Sequence, residues 1–318
     1  MNMTTGRRTA RAVGVVAAIA GAGLTLAVSP VSAHSQGHST APAYAKAWYF
    51  AGSLTGANEV PVPGGPATGD KDGRAIEFVK IQGNKVSFAI QWKGIKAPTN
   101  AHIHQGKKGA NGPVKIDFFH EKLPDSLNSV TGSVTVNDAH LLKDIINDPS
   151  SFYFNLHTGE FPGGAVRGQL HKLTEPVAIN KALGSFQASV VKGKQIYACT
   201  KQSDGSYKFT QNNVSAKLDR GIAHSFVHPN AGPPQWKAPD GSAVTGTLVT
   251  KTPNGTDNIP ELDLLANQSG KKSGLLSKTA EILRLNTVGG VAPAGTCDPY
   301  THPKVGVPYQ ADYLFVTK

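Results

Sequence analysis

Cysteine is scarce in this chain: of 318 residues only two are cysteines, Cys199 and Cys297, both in the second half. That count excludes cysteine-rich modules. In an exported protein the expected state of the pair is one disulfide. Closing a loop of roughly a hundred residues would contribute about 4–5 kcal/mol in the chain-entropy model. Beyond the N-terminus, apolar runs are too short to span a bilayer. Dense Lys/Arg patches interleaved with aromatics are missing, which argues against a nucleic-acid partner. The second half shows no serine nucleophile elbow, no carboxylate pair at a readable spacing and no phosphate-cradling glycine loop. No repeat relates the two halves. The sequence therefore nominates no catalytic residue and no organic-cofactor site.

The N-terminus is informative. Arg7, Arg8 and Arg11 form a basic segment without an acid, an Ala- and Gly-rich apolar run follows from Ala12 to about Val28, and "VSA" supplies small residues at a cleavage position. Residues 1–33 read as a secretory signal cut after Ala33. The alternative, a membrane anchor, fits poorly with a short run closed by Pro30. The Arg7–Arg8 pair raises the twin-arginine route beside the general one. Removing the signal takes away three arginines and leaves +8 of the formal +11. A moderately basic mature chain suits simple solubility, and also contact with anionic cell-wall polymers or other extracellular proteins. The expected location is secreted, extracellular or cell-wall associated, with no transmembrane anchor after processing.

Residues 34–46 are small and polar, a flexible leader that places His34 and His38 near the new N-terminus. From Trp48 the pattern becomes short runs of period two separated by turns, with 35 glycines and 21 prolines as punctuation. This composition is ordinary for strands and turns and high for a helical protein. "AIEFVKI", "QGNK" and "VSFAIQWKGI" read as a hairpin. "NDAHLLKDIINDPS" is the one good helix, capped by Asn137 or Asp138 with Ala139, Leu142 and Ile145–Ile146 on one face. The expected fold is all-β, with two sandwich or barrel domains at 47–173 and 185–318 joined by a linker at 174–184. The first is expected to carry the helix.

Side chains alternate across a strand. In "AHIH", Ile103 points one way and His102 and His104 the other. In "SFYFNLH", Phe152, Phe154 and Leu156 share a face, and Tyr153, Asn155 and His157 share its opposite. Three imidazoles thus project away from the oily side: His102, His104 and His157. If the two strands are neighbours, they offer three nitrogens to one copper or zinc ion, and imidazole does not choose between these metals. His120, at the end of a core-facing run, His140 in the helix and His171 beyond the last strand all read as structural or surface residues. Arg167 reads as a strand-surface residue unless it lies near the trio.

The motifs "NEVPVP", "AHIHQGKKGANGPV" and "NLHTGEFPGGAVRGQL" resemble those of the CHRD domain, named for chordin and found also in secreted bacterial proteins. The resemblance covers about residues 47–173. It implies an immunoglobulin-like or dismutase-like β-sandwich and extracellular life, without an agreed activity. "AHIHQG" is also similar to the copper strand of copper–zinc superoxide dismutases. That similarity implies His102 and His104 as two copper ligands. The bridging histidine, the zinc loop and a cysteine of that pattern are missing here.

The runs "IYACTK", "VSAKL", "AHSFVHPNAGPPQWKAPDGSAVTG", "LLSKTAEILRLNTVGGVAPAGTCD" and "VPYQADYLF" of the second half, about 185–318, resemble domain of unknown function 3455. Its stretch "HSFVHPNAGPPQWKAPDGS" gathers His224, His228, Trp236 and Asp240. Trp236 is read either as a stacking face for a sugar or as a core plug beside a "PDG" turn, the second being favoured. Three functional expectations follow: a secreted metal-binding protein acting in metal handling or protection, a non-catalytic extracellular binding module, and a dismutase-type oxidoreductase.

Overall fold

The computed structural model describes residues 46–230 and 232–318. The segment read as a secretory signal, 1–33, and the stretch read as a leader up to residue 45, with His34 and His38, lie outside these residues.

The first domain is one antiparallel sheet. Its strands are β1 (Ala47–Thr55), β2 (Arg74–Gln82), β3 (Lys85–Lys93), β4 (Asn100–Gln105), β5 (Val114–Phe119), β6 (Ser129–Thr135), β7 (Phe152–His157), β8 (Val166–Gln169) and β9 (His171–Lys172). The order is β5-β4-β7-β8-β1-β2-β3-β6, with β9 also paired to β1. β2 and β3 form the expected hairpin, registered Gln82 to Lys85 around Gly83, whose φ of 61° suits a residue without a Cβ. The sheet wraps a core that includes Phe50, Val79, Ile90, Ile103, Phe154 and Leu156. Phe118 of β5 packs on Phe88 of β3 with ring centroids 4.6 Å apart, drawing the two ends of the sheet together. Helix α1 (Ala139–Asn147) is capped by Asp138, whose side chain accepts from Leu141 N, and it buries Leu142 and Ile145 against that core.

The second domain is a closed barrel of eight strands, each hydrogen-bonded to the next in sequence. They are β10 (Phe186–Lys201), β11 (Tyr207–Leu218), β12 (Ala223–Phe226), β13 (Pro234–Lys237), β14 (Ala243–Thr252), β15 (Glu261–Gln268), β16 (Thr279–Gly289) and β17 (Lys304–Thr317). Closure by β10 and β17 leaves no edge strand. Cys199 of β10 is bonded to Cys297 in the β16–β17 connection.

The stretch read as a linker is packed. It contains a short helix α2 (Ile179–Ala182), and Val177 and Ala182 are buried. Together with Leu173 they join Ala51, Ile76 and Phe78 of the first domain and Leu283, Leu285 and Leu314 of the barrel in one apolar cluster. Polar contacts ring this cluster. Both carboxylate oxygens of Glu281 accept backbone hydrogens, from Thr174 and Glu175, at 2.9 Å each. Asn58 Nδ2 donates to Asn286 Oδ1 at 2.9 Å.

Candidate metal centre

β4 and β7 are antiparallel neighbours. Their register sets Asn100 opposite His157, His102 opposite Asn155 and His104 opposite Tyr153. Ala101, Ile103, Phe154 and Leu156 are fully buried on the core side, so the alternating residues point outward on one face. That face brings His102, His104 and His157 together. Ring centroids lie 5.4 Å apart for His102–His104, 5.1 Å for His102–His157 and 6.2 Å for His104–His157. One ligand nitrogen from each falls within 4.8 Å of the other two.

The hydrogen bonds decide which nitrogens are free. His104 Nδ1 lies 2.9 Å from Gly112 O, and His157 Nδ1 lies 3.0 Å from Pro162 O. A carbonyl can only accept, so both Nδ1 atoms carry the hydrogen and both Nε2 atoms keep a lone pair. His102 is turned the other way: its Nε2 faces Asp117 Oδ1 at 3.7 Å. The remaining nitrogens, His102 Nδ1, His104 Nε2 and His157 Nε2, are buried and lack a hydrogen-bond partner. Buried polar atoms without partners are costly, and three in one cluster need a reason. An ion would satisfy all three at once.

Electrostatics agree. Burial lowers the pKa of His102 to about 4, helped by the neighbouring His157 and His104 rings and opposed by Asp117. Burial likewise lowers His104 and His157, against the opposing pull of their bonds to Gly112 and Pro162. The rings are neutral at physiological pH, the form that ligates a metal. Each has an acceptor facing its second nitrogen, the arrangement that fixes metal-bound imidazoles.

A supporting layer surrounds the trio. Tyr153 stacks on His104 with centroids 4.8 Å apart, and Arg167 lies 3.5 Å over the Tyr153 ring. Arg167 is 1% exposed, not a strand-surface residue. It donates to Lys107 O, Ala110 O and Asn111 Oδ1, holding the 106–113 loop whose Gly112 carbonyl orients His104. Glu59 of "NEVPVP" accepts from Asn155 Nδ2, and burial raises its pKa to about 7 against the opposing influence of Asn155 and Arg167. A Cβ on Gly164 would stand 2.6 Å from Glu59 Oε1, so "FPGG" makes room for that carboxyl. Sequence reasoning gave Glu59 no role; its motif was the only signal.

The other histidines divide. His120 is an exposed residue beyond the buried Ile116 and Phe118, and its Nδ1 lies 3.0 Å from Asp117 Oδ2. His171 Nε2 lies 3.7 Å from Glu261 between the domains. His224 is buried against Trp236, stacked with centroids 4.4 Å apart. Trp236 is 1% exposed, a core residue, and Asp240 accepts from Ser242 N and Leu275 N in the adjoining turn. His228 lies beyond this cluster, on the exposed connection between β12 and β13.

A family model described as "CHRD domain" matches residues 50–170, and one described as "Protein of unknown function (DUF3455)" matches 208–317. No curated protein and no solved structure matches the chain. The metal-type cluster lies wholly in the first matched span, while the second begins inside β11 and runs to the last residue of β17. The chain thus carries a CHRD domain followed by a DUF3455 region.

Proposed function

We propose that this is a secreted protein that holds one copper or zinc ion through His102, His104 and His157 and serves in extracellular metal handling or protection. The observation that carries the reading is the set of three orphaned, buried nitrogens converging from β4 and β7. Three neutral imidazoles leave further coordination positions for water or a ligand. The resident ion would supply Lewis acidity and, if copper, electron transfer. The chain's own residues orient the rings through Gly112, Pro162 and Asp117. Export is supported by the basic and apolar N-terminus, by the disulfide and by the CHRD similarity.

A second reading, adhesion to anionic wall polymers, rests on a groove between the domains lined by Trp48, Lys46, Lys107, Lys108 and Lys172. Lys46 and Lys172 both lie within about 4 Å of the Trp48 ring centre. The dismutase reading has one candidate steering cation, Arg167, but it is 1% exposed and gives its Nη1 and Nη2 hydrogens to the 106–113 loop.

The test is calorimetric titration of metal-free mature protein with Zn²⁺ and Cu²⁺, beside a superoxide-decay assay of the copper-loaded form. The reading expects one ion per chain, at least about a hundredfold weaker in His157→Ala, since loss of an outer-shell partner alone typically costs ten- to a hundredfold. Unchanged affinity in His157→Ala would remove the site. Superoxide decay that disappears in His102→Ala would move the assignment to an oxidoreductase.

A further inference from the structure

The barrel of the second domain has an unfilled end. Phe186, Trp236, Tyr313 and Phe315 pack one part of its interior. A cavity of about 450 Å³ occupies another part, bounded by His224 and Trp236 and reaching Phe226, Leu248 and Leu262. Eight-stranded barrels are just wide enough to be filled by side chains or to hold one small molecule. A volume of this size falls in the usual range for ligand sites.

The polar groups on its wall are unbalanced. Lys251 and Arg284 line the cavity, and no carboxylate does. Arg284 lies on β16 opposite Tyr313 and in register with Leu262, with Ile282 of the barrel core on the same face. Its Nε and Nη2 donate to Pro260 O at 3.2 and 2.8 Å, and no described carboxylate pairs with it. Two further wall residues carry donors without partners: Trp236 Nε1 and Gln195 Nε2, on side chains 1% and 3% exposed. Leu248, at the rim, is 55% exposed, and Phe226 beside it is half-buried. The site therefore combines apolar surface at its entrance with one cation, Arg284, and unpartnered donors inside, while Lys251 is an exposed cation on the wall. A molecule complementary to it has an apolar body and a head made of acceptor oxygens bearing negative charge.

We propose that this barrel binds a small amphiphile with an anionic, carboxylate-type head. The apolar body lies along Leu248, Leu262, Leu264 and Phe226, and the head meets Arg284. Lys251 adds positive charge to the wall. The inference is independent of the histidine cluster, which lies in the other domain.

Decanoate, below its micellar concentration, and uncharged decanol are the probes, titrated calorimetrically into the full mature chain. The expected result is saturable binding of one decanoate per chain, with decanol at least about tenfold weaker because it lacks the charge-assisted contact. Arg284→Gln should abolish that preference. Leu248→Asp, at an exposed rim position that leaves the core intact, should weaken decanoate about tenfold by placing a carboxylate at the entrance. It keeps the test valid should Arg284→Gln fail to fold. Absence of decanoate binding, equal binding of the two probes, or a Leu248→Asp variant that binds like wild type would overturn the proposal.

Discussion

Each imidazole of the trio uses one nitrogen toward the protein and keeps the other bare. In His104 and His157 the bonded atom is Nδ1; in His102 the nitrogen facing Asp117 is Nε2. The face of each ring was legible in the sequence because alternation needs only the identity of the neighbours. The buried charges were not legible. Arg167 and Glu59 look like surface residues on a strand and a loop, and only the fold shows what covers them. Glu77 is a sharper case. It sits on the core face of β2 with Ala75 and Val79, fully buried, with both oxygens unpartnered. Burial raises its pKa well above 4.5. The folded state therefore keeps a proton that the unfolded state releases above about that pH, so folding stability falls as pH rises. Glu77→Gln carries no such proton. Its melting temperature should exceed wild type at pH 8, with the gap closing toward pH 4 in a series of thermal melts. A gap independent of pH would mean that Glu77 is ionised in the fold.

At the scale of elements, the pairing of β4 with β7 makes the site. A one-residue slip would turn His102 and His104 into the core. The 106–113 loop is the second contributor. A Cβ on Gly112 would stand 1.6 Å from Gln105 O, so alanine there forces the loop off its present path. The displaced segment contains both the carbonyl bonded to His104 and the amide that donates to Tyr153 Oη at 3.3 Å. Gly112→Ala is expected to lower zinc affinity about tenfold or more, as loss of an outer-shell partner does, and titration of the folded variant checks it. Wild-type affinity would show that His104 needs no such support. In the second domain the sequence was less readable. β12 and β13 fall in the stretch "AHSFVHPNAGPPQWKAPDGS", where proline and glycine hide two four-residue strands. Gln195, His224 and Arg284 line the barrel's interior cavity, so the polar/apolar alternation that marks an inward face is broken there.

At the scale of the molecule, residues 46–318 form one compact unit. The packing of 174–184 explains it. Proline and polar residues gave that segment the look of a tether, yet Val177 and Ala182 are sealed between two sheets. Near them Glu281, held by Thr174 and Glu175, has its pKa raised to about 9 by burial and by Asp263. The two domains are accordingly expected to keep a fixed relation while carrying separate chemistry, imidazoles in one and an apolar barrel mouth in the other. The central claim concerns the first. Metal per chain, measured by elemental analysis of mature protein purified without chelator, should be one copper or zinc for wild type and none for the His102→Ala/His104→Ala/His157→Ala variant. Equal metal in the two proteins, or none in wild type even after incubation with both ions, would contradict it.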